Sequence, residues 1–199
     1  MAIRARRALI SVHDKSGLEE LVRAFTELSI EIISTGGTAR AIRQLGAAVT
    51  DVAEITGFPE MLDGRVKTLH PRVHAGLLAR RDLPGHMATL QQHGIAAIDM
   101  VCVNLYPFAQ TIARPGCTLE EAIENIDIGG PAMLRSAAKN HQSVYVLSSP
   151  SQYPKAIARL KADGGHLDPE FGRHLALEAF RLTAAYDASV AAYLAEKIS

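Results

Sequence analysis

Tryptophan is absent from this sequence, other aromatics are sparse, and cysteine occurs only twice. The two cysteines, Cys102 and Cys117, lack the spacing of a zinc or dithiol motif, so a disulfide framework is not expected. Cys102 lies in an apolar run and reads as core. An excess of charge of one sign is also missing: Lys+Arg and Asp+Glu both number 21. That balance excludes a general attraction to nucleic acid or to an anionic membrane surface. No apolar run approaches the ~20 residues of a membrane span. ALISV, behind the basic MAIRARR, is too short for a signal-peptide core. A cytoplasmic protein without membrane or nucleic-acid partners is expected. Internal repeats and low-complexity segments are lacking as well.

What is present is enough chain for one substantial domain, 199 residues of which 48% are apolar. The pattern alternates. Ala8–Val12 reads as a strand, and Ser16 as the cap of a helix running to about Leu28, with Leu18, Leu21, Val22, Phe25 and Leu28 on one face. Ile30–Ser34 is a second strand. The turn Thr35-Gly36-Gly37-Thr38 leads into a helix that Gly46 stops, and Ala47–Val52 is a third strand. A helix around Gly85–His93 precedes IDMVCVN (98–104), read as a central buried strand. Thr118 caps a helix through Glu124, Gly130–Lys139 forms another, and Ser143–Leu147 is a strand. From Pro150 onwards only helix is read. Strands alternating with helices predict a doubly wound, mostly parallel α/β sheet, with the core over about 1–150 and a C-terminal helical extension over 151–199.

Ile55–Arg80 stands apart as a long, polar, Gly/Pro-punctuated connection. Phe58, Met61, Leu62, Leu69, Val73 and Leu77 are expected to bury and hold it in place. Arg65, Lys67, Thr68 and His70 lie between its turns, a set suited to an anionic small molecule. Ligands of such sheets bind at the carboxyl ends of the strands. There the sequence places Ser11, His13, Asp14 and Lys15, then Thr35–Thr38, then Asn104 and Tyr106, and finally Asp127-Ile128-Gly129-Gly130. The STGGT turn reads as a cradle for one phosphate group, its amides and hydroxyls facing the anion and Lys15 adding charge. A plain strand-to-helix turn explains it about as well. The turn has neither the lysine of a P-loop nor a GxGxxG spacing. Asp127 reads equally as a helix N-cap. Arginine supplies most of the positive charge, so Lys15, Lys67 and Lys139 stand out, although surface solvation is the plainer reading of any lysine. His70 and His74 are four apart, but Pro71 is expected to break the helix that would align them, and no metal is predicted.

Four segments in order, STGGTAR (34–40), EITGFPEMLDGRVKTLHPRVHAGLLAR (54–80), NLYPF (104–108) and IDIGGPAMLRSAAKNH (126–141), resemble the inosine monophosphate (IMP) cyclohydrolase domain. That domain is the N-terminal half of a bifunctional purine-synthesis family that also carries AICAR transformylase activity. The match runs from about Ala8 to Tyr193 and includes a terminal TAAYDASVAAYL. The resemblance implies a methylglyoxal synthase-like fold and a reaction without cofactor: FAICAR (5-formamidoimidazole-4-carboxamide ribotide) closes its second ring and loses water to give IMP. It implies a catalytic set of Lys67, Tyr106, Asp127 and Lys139. In that set Asp127, coupled to Lys139 and Tyr106, moves the carboxamide proton, while Lys67 and the amides of Ile128 and Gly129 polarise the formyl oxygen. Lys15, Thr35, Gly36, Gly37 and Thr38, with Ser11 close by, resemble the phosphate set. Arg65, Thr68 and Asn104 resemble the residues that hold ribose and base. A homodimer, normally fused to a transformylase domain, is implied as well.

Two features depart from the family pattern. The chain stops at Ser199, where the transformylase domain would begin, so cyclisation without folate-dependent formyl transfer is expected. His13 stands where a small hydroxyl residue is expected, near the phosphate site. Two other readings compete. A methylglyoxal synthase would share the fold and phosphate turn but has no use for the KTLHP and NLYPF blocks. A regulatory anion-binding module would leave Lys67, Tyr106 and Lys139 superfluous. The apolar tail residues Leu175, Leu177, Phe180, Leu182 and Tyr186 are expected to pack on the sheet's helices or on a second copy.

Overall fold

The protein is seen in a computed structural model that describes residues 3–59 and 61–198. Five strands form one sheet: β1 (Arg7–Val12), β2 (Glu31–Ser34), β3 (Thr50–Asp51), β4 (Met100–Asn104) and β5 (Tyr145–Leu147). Their order is β3-β2-β1-β4-β5 and every pairing is parallel. Parallel strands covered on both faces need side chains that are apolar on both sides. Accordingly Ala8, Leu9, Ile10, Met100, Val101, Cys102, Tyr145, Val146 and Leu147 are all fully buried. IDMVCVN supplies β4, interior and buried as expected, next to β1 at the middle of the order.

Helix α1 (Leu18–Glu27) and helix α2 (Gly36–Gln44) connect strands running from β1 towards β3. The return to β4 passes through α3 (Val52–Thr56), a 3₁₀ turn at Leu62–Gly64, α4 (Pro71–Leu78) and α5 (Pro84–Gln92). Between β4 and β5 lie α6 (Phe108–Ile112), α7 (Leu119–Glu124) and α8 (Gly129–Lys139), and after β5 come α9 (Tyr153–Ala162) and α10 (Pro169–Ile198). Right-handed crossovers place helices that connect strands in opposite directions along a sheet on opposite faces. The contacts agree: α1 touches α2 and α9, whereas α8 touches α4 and α10. The helical segment after residue 150 therefore packs into both layers. Leu175 is buried, but Leu177 and Phe180 on α10 stay exposed.

Local differences from the sequence reading have local causes. Ser16 does not cap α1. Its amide and hydroxyl both donate to Asp14 Oδ1 (2.9 and 2.7 Å), and Gly17, at φ 70°, makes the entry instead. The third strand shrinks to two residues because Asp51 turns the chain into α3 with a capping box shared with Glu54. Thr118 caps α7 as expected, its hydroxyl accepting from the Glu121 amide. Pro71 opens α4 instead of breaking a helix, since a first-turn proline lacks only an N–H that would be unpaired anyway. The expected burial of the long connection holds for Val73 and Leu77, which α4 carries to the sheet. Phe58, Met61, Leu62 and Leu69 remain exposed.

Opposite the carboxyl ends of the strands, Asp99 accepts from the amides of Arg6 and Arg7 (2.9 and 3.1 Å) and faces Arg81 at 3.7 Å. Burial holds its carboxyl above the ordinary range despite these partners. This buried network closes the far end of the sheet.

Candidate active site

β1 is the point at which the winding reverses, so a crevice opens between the carboxyl ends of β1 and β4. A cavity of about 620 Å³ occupies it. Ser11, Lys15, Thr35, Gly37, Thr38, Arg65, Lys67, Thr68, Asn104, Tyr106, Asp127, Ile128 and Gly129 line it, joined by His13. Residues from five separate stretches thus meet at one edge.

One end of the cavity is built by α2. The glycines of the STGGT turn belong to the helix itself, with Thr35 as N-cap and Gly36 at φ 44°. Among the described residues no hydrogen bond uses the amides of Gly36 or Gly37, leaving two first-turn donors and the helix dipole facing the cavity. Ser11 Oγ and Thr35 Oγ1 lie 3.3 Å apart beside them. Thr38, expected to offer its hydroxyl to the phosphate, turns it towards β1 in the structure. Its hydroxyl donates to Val12 O (3.0 Å) and accepts from Val12 N (3.1 Å), which uses its only hydrogen to bind α2 to β1. Gly36 is absent from the lining, but Lys67 Nζ lies 3.4 Å from where a Cβ on Gly36 would stand. The Lys67 ammonium therefore sits at the glycine turn.

The opposite wall is the entrance of α8. Asp127 Oδ1 accepts from the Gly130 amide at 2.8 Å, so the carboxylate does serve the helix start while facing the cavity. Burial pushes its carboxyl above the ordinary value of such a group, and the donating amides of Gly130 and Tyr106 only partly offset this. The amides of Ile128 and Gly129 take part in none of the described hydrogen bonds. Glycine is required here for space: a Cβ on Gly129 would stand 2.5 Å from Thr68 Oγ1, and one on Gly130 would strike the Asp127 carboxylate.

Between the walls, Asn104 joins the two strand ends. Its Oδ1 accepts from the amides of His13 and Asp14 (2.7 and 2.9 Å), and its Nδ2 donates to Asp14 O (2.8 Å). Asn104 was expected to hold ribose and base, but most of its amide capacity is committed to the β1–α1 turn. The His13 ring lies against Tyr106, centroids 5.2 Å apart, at the mouth. Arg65 is paired with Glu124 across the rim, and both side chains are exposed.

Lys139 is not brought to this cavity. It is the last residue of α8 and exposed. At 1.5 Å per residue, the helix puts it roughly 15 Å from Gly129. His70 and His74 are occupied separately: His70 Nδ1 accepts from the Arg72 amide (3.2 Å), and His74 Nδ1 meets Ser136 Oγ (2.9 Å). Among the described residues no group of three His, Cys, Asp or Glu side chains converges on a point that would hold a metal, and no helix is long and apolar enough to cross a membrane.

Several contributors escaped the sequence reading. Ile123, Glu124, Asn125, Ile126 and Met133 also line the cavity. The Tyr186 hydroxyl, on α10, accepts from the Asp127 amide at 2.7 Å. Nothing local marks Tyr186, because its partner lies 59 residues away.

Residues 17–132 match the model of the MGS-like domain, and residues 137–199 that of the AICARFT/IMPCHase bienzyme. The bifunctional purine biosynthesis protein PurH of Neisseria meningitidis (serogroup A / serotype 4A, strain DSM 15465 / Z2491) is 54% identical over 189 residues, covering 95% of this chain and 36% of the relative. That of Neisseria gonorrhoeae (strain NCCP11945) is 55% identical with the same coverage. The chain thus spans about a third of the length of these curated relatives. A crystal structure of ForH superposes with a TM-score of 0.82 at 38% identity, covering 94% of this chain and 97% of that one.

Proposed function

The chain belongs to the MGS-like domain family, in the form found in bifunctional PurH, and from that premise we propose that it is an IMP cyclohydrolase, closing the second ring of FAICAR to give IMP and water. The observation that carries the proposal is the cavity at the strand reversal, with helix amides at both ends that have no partner among the described residues and a carboxyl held above its ordinary range beside one pair of them.

In this reading the substrate phosphate sits at the N-terminus of α2, on the amides of Gly36 and Gly37 and the hydroxyls of Ser11 and Thr35. Lys15 and Lys67 supply countercharge. The imidazole and its two substituents then reach the entrance of α8. The carboxamide nitrogen attacks the formyl carbon, a C–N bond forms, and the formyl oxygen becomes a hydroxyl. When that oxygen leaves as water, one of its hydrogens comes from the carboxamide nitrogen and the other from the formamido nitrogen. Both steps move a proton off nitrogen and onto oxygen, which a carboxyl whose proton burial holds more tightly than usual can mediate; Asp127 takes this role. The amides of Ile128 and Gly129 stabilise the negative oxygen. Thr68 and Arg65 border the ribose and base, and Tyr106 closes the mouth. Lys139 has no contact with the cavity in a single chain and receives no step. No redox change or external group donor enters, so the reaction needs no cofactor.

We take 1–199 as one cyclohydrolase domain acting in the cytosol. The exposed Leu177 and Phe180 on α10 support assembly as a homodimer. The direct test adds purified chain to FAICAR without metal or folate and follows IMP by absorbance and chromatography. Conversion that collapses in Asp127→Asn is expected. Absence of both conversion and IMP binding would overturn the reading, as would turnover of dihydroxyacetone phosphate.

A further inference from the structure

We propose that Tyr186 is a positioning residue for Asp127, and that the second half of α10 exists to hold the α8 entrance in its reactive geometry. The proposal rests on the proton-transfer role given to Asp127. Helix α10 has 30 residues, about 45 Å at 1.5 Å per residue. Its first half packs Phe171, Leu175, Ala176 and Ala179 into the main core. Its second half belongs to a separate small core, in which Tyr193 meets Phe108 of α6 and Ala122 of α7, with Ile126, Tyr186 and Val190 packed around them. That small core backs the stretch 123–127, one wall of the cavity.

From this support the Tyr186 hydroxyl reaches the wall itself. Its oxygen accepts the Asp127 amide hydrogen at 2.7 Å, and it donates to Asn125 O at 3.5 Å. The ring is held edge-on to Phe108, centroids 6.2 Å apart. Asp127 is thereby fixed on two sides, by its own carboxylate on Gly130 and by its amide on Tyr186. Without Tyr186 the Asp127 amide is a partly buried donor with no described partner, and the peptide that aims the carboxylate can rotate. Asp127 lies within the MGS-like segment, 17–132, and Tyr186 within the segment that matches the bienzyme, 137–199. A helix outside the MGS-like match thus sets a residue inside it.

Tyr193 provides an internal control. It sits in the same small core with its hydroxyl buried and without a hydrogen-bond partner among the described residues. Tyr186→Phe and Tyr193→Phe each remove one hydroxyl and keep the ring. For Tyr186→Phe, kcat on FAICAR is expected to fall by about 5- to 150-fold, the range for stranding a buried donor, with KM nearly unchanged. Tyr193→Phe leaves both constants at wild-type values. Exchange of the Asp127 amide hydrogen, read by NMR without substrate, accelerates only in Tyr186→Phe. Equal behaviour of the two variants in kcat, or an Asp127 amide equally protected in both, would overturn the proposal. If the wild-type chain neither converts FAICAR nor binds IMP, the functional reading falls, and the amide exchange alone decides whether Tyr186 holds Asp127.

Discussion

Replacing Asp127 by asparagine removes a proton-transfer group while keeping an oxygen for the Gly130 amide. A positioned acid–base group accounts for about 10²–10⁴ in rate. At 1.36 kcal/mol per factor of ten this is about 3–5 kcal/mol of transition-state stabilisation. kcat for IMP formation should fall accordingly, while IMP affinity, which rests mainly on the α2 end of the cavity, stays within a few-fold. The same substitution has a stability signature. Burial raises the Asp127 carboxyl above the ordinary aspartate value of 3.8, so the folded state favours the protonated form. Such a group contributes stability that is fully present below the unfolded value and is lost as pH rises through the folded one. Wild type should therefore lose stability relative to Asp127→Asn as pH climbs from below 3.8 towards neutrality, and the difference should then level off. Urea denaturation of both proteins at several pH values measures it, and the raised carboxyl of Asp99 cancels because it is common to both. A difference that is flat with pH, or that favours wild type as pH rises, would refute the assignment of a buried, destabilised carboxyl; near-normal turnover would refute its role.

Gly129→Ala forces a methyl to within 2.5 Å of Thr68 Oγ1; overpacking of this kind costs about 1–3 kcal/mol, and calorimetric titration with IMP should show affinity reduced about tenfold, with wild-type affinity refuting the packing argument. Gly172→Ala, far from the cavity, would place a Cβ 2.5 Å from His141 O where α10 crosses the α8–β5 turn. It should lower stability by about 1–3 kcal/mol, roughly 2–10 °C in melting temperature at this size, and an unchanged melting curve would refute it. The thiols should separate cleanly. Cys102 is fully buried and its thiol is pushed far up, whereas Cys117 is partly exposed. An aromatic disulfide reagent should therefore titrate one thiol in the native chain and two in denaturant.

Much of the architecture was legible because its signals are local. Unbroken apolar runs mark strands buried on both faces, and the 3.6 periodicity of Leu18, Leu21, Val22 and Phe25 marks α1. The glycine pairs at 36–37 and 129–130 locate the two helix entrances on which the cavity is built. The misreadings also share a cause. Thr38 and Asn104 were correctly placed beside the cavity, yet their hydrogen-bonding groups are used by backbone 26 and 91 residues away. Phe58, Met61 and Leu62 carry the composition of core but lie on turns that never reach the sheet.

The sequence by itself determined where the interior strands and the longer helices lie, that the strands run parallel, and which short motifs stand at the carboxyl ends. Hydrophobic period and turn chemistry act over a few residues, so these follow from neighbours along the chain. Only the tertiary structure decided that β1 is the reversal point, that Lys67 lies over the glycine turn, that Lys139 ends a helix length away, and that Tyr186 returns to hold Asp127. Those outcomes depend on which distant elements share a layer. A donor or acceptor can be spent by any group that packing brings within 3 Å, and sequence spacing carries no record of that.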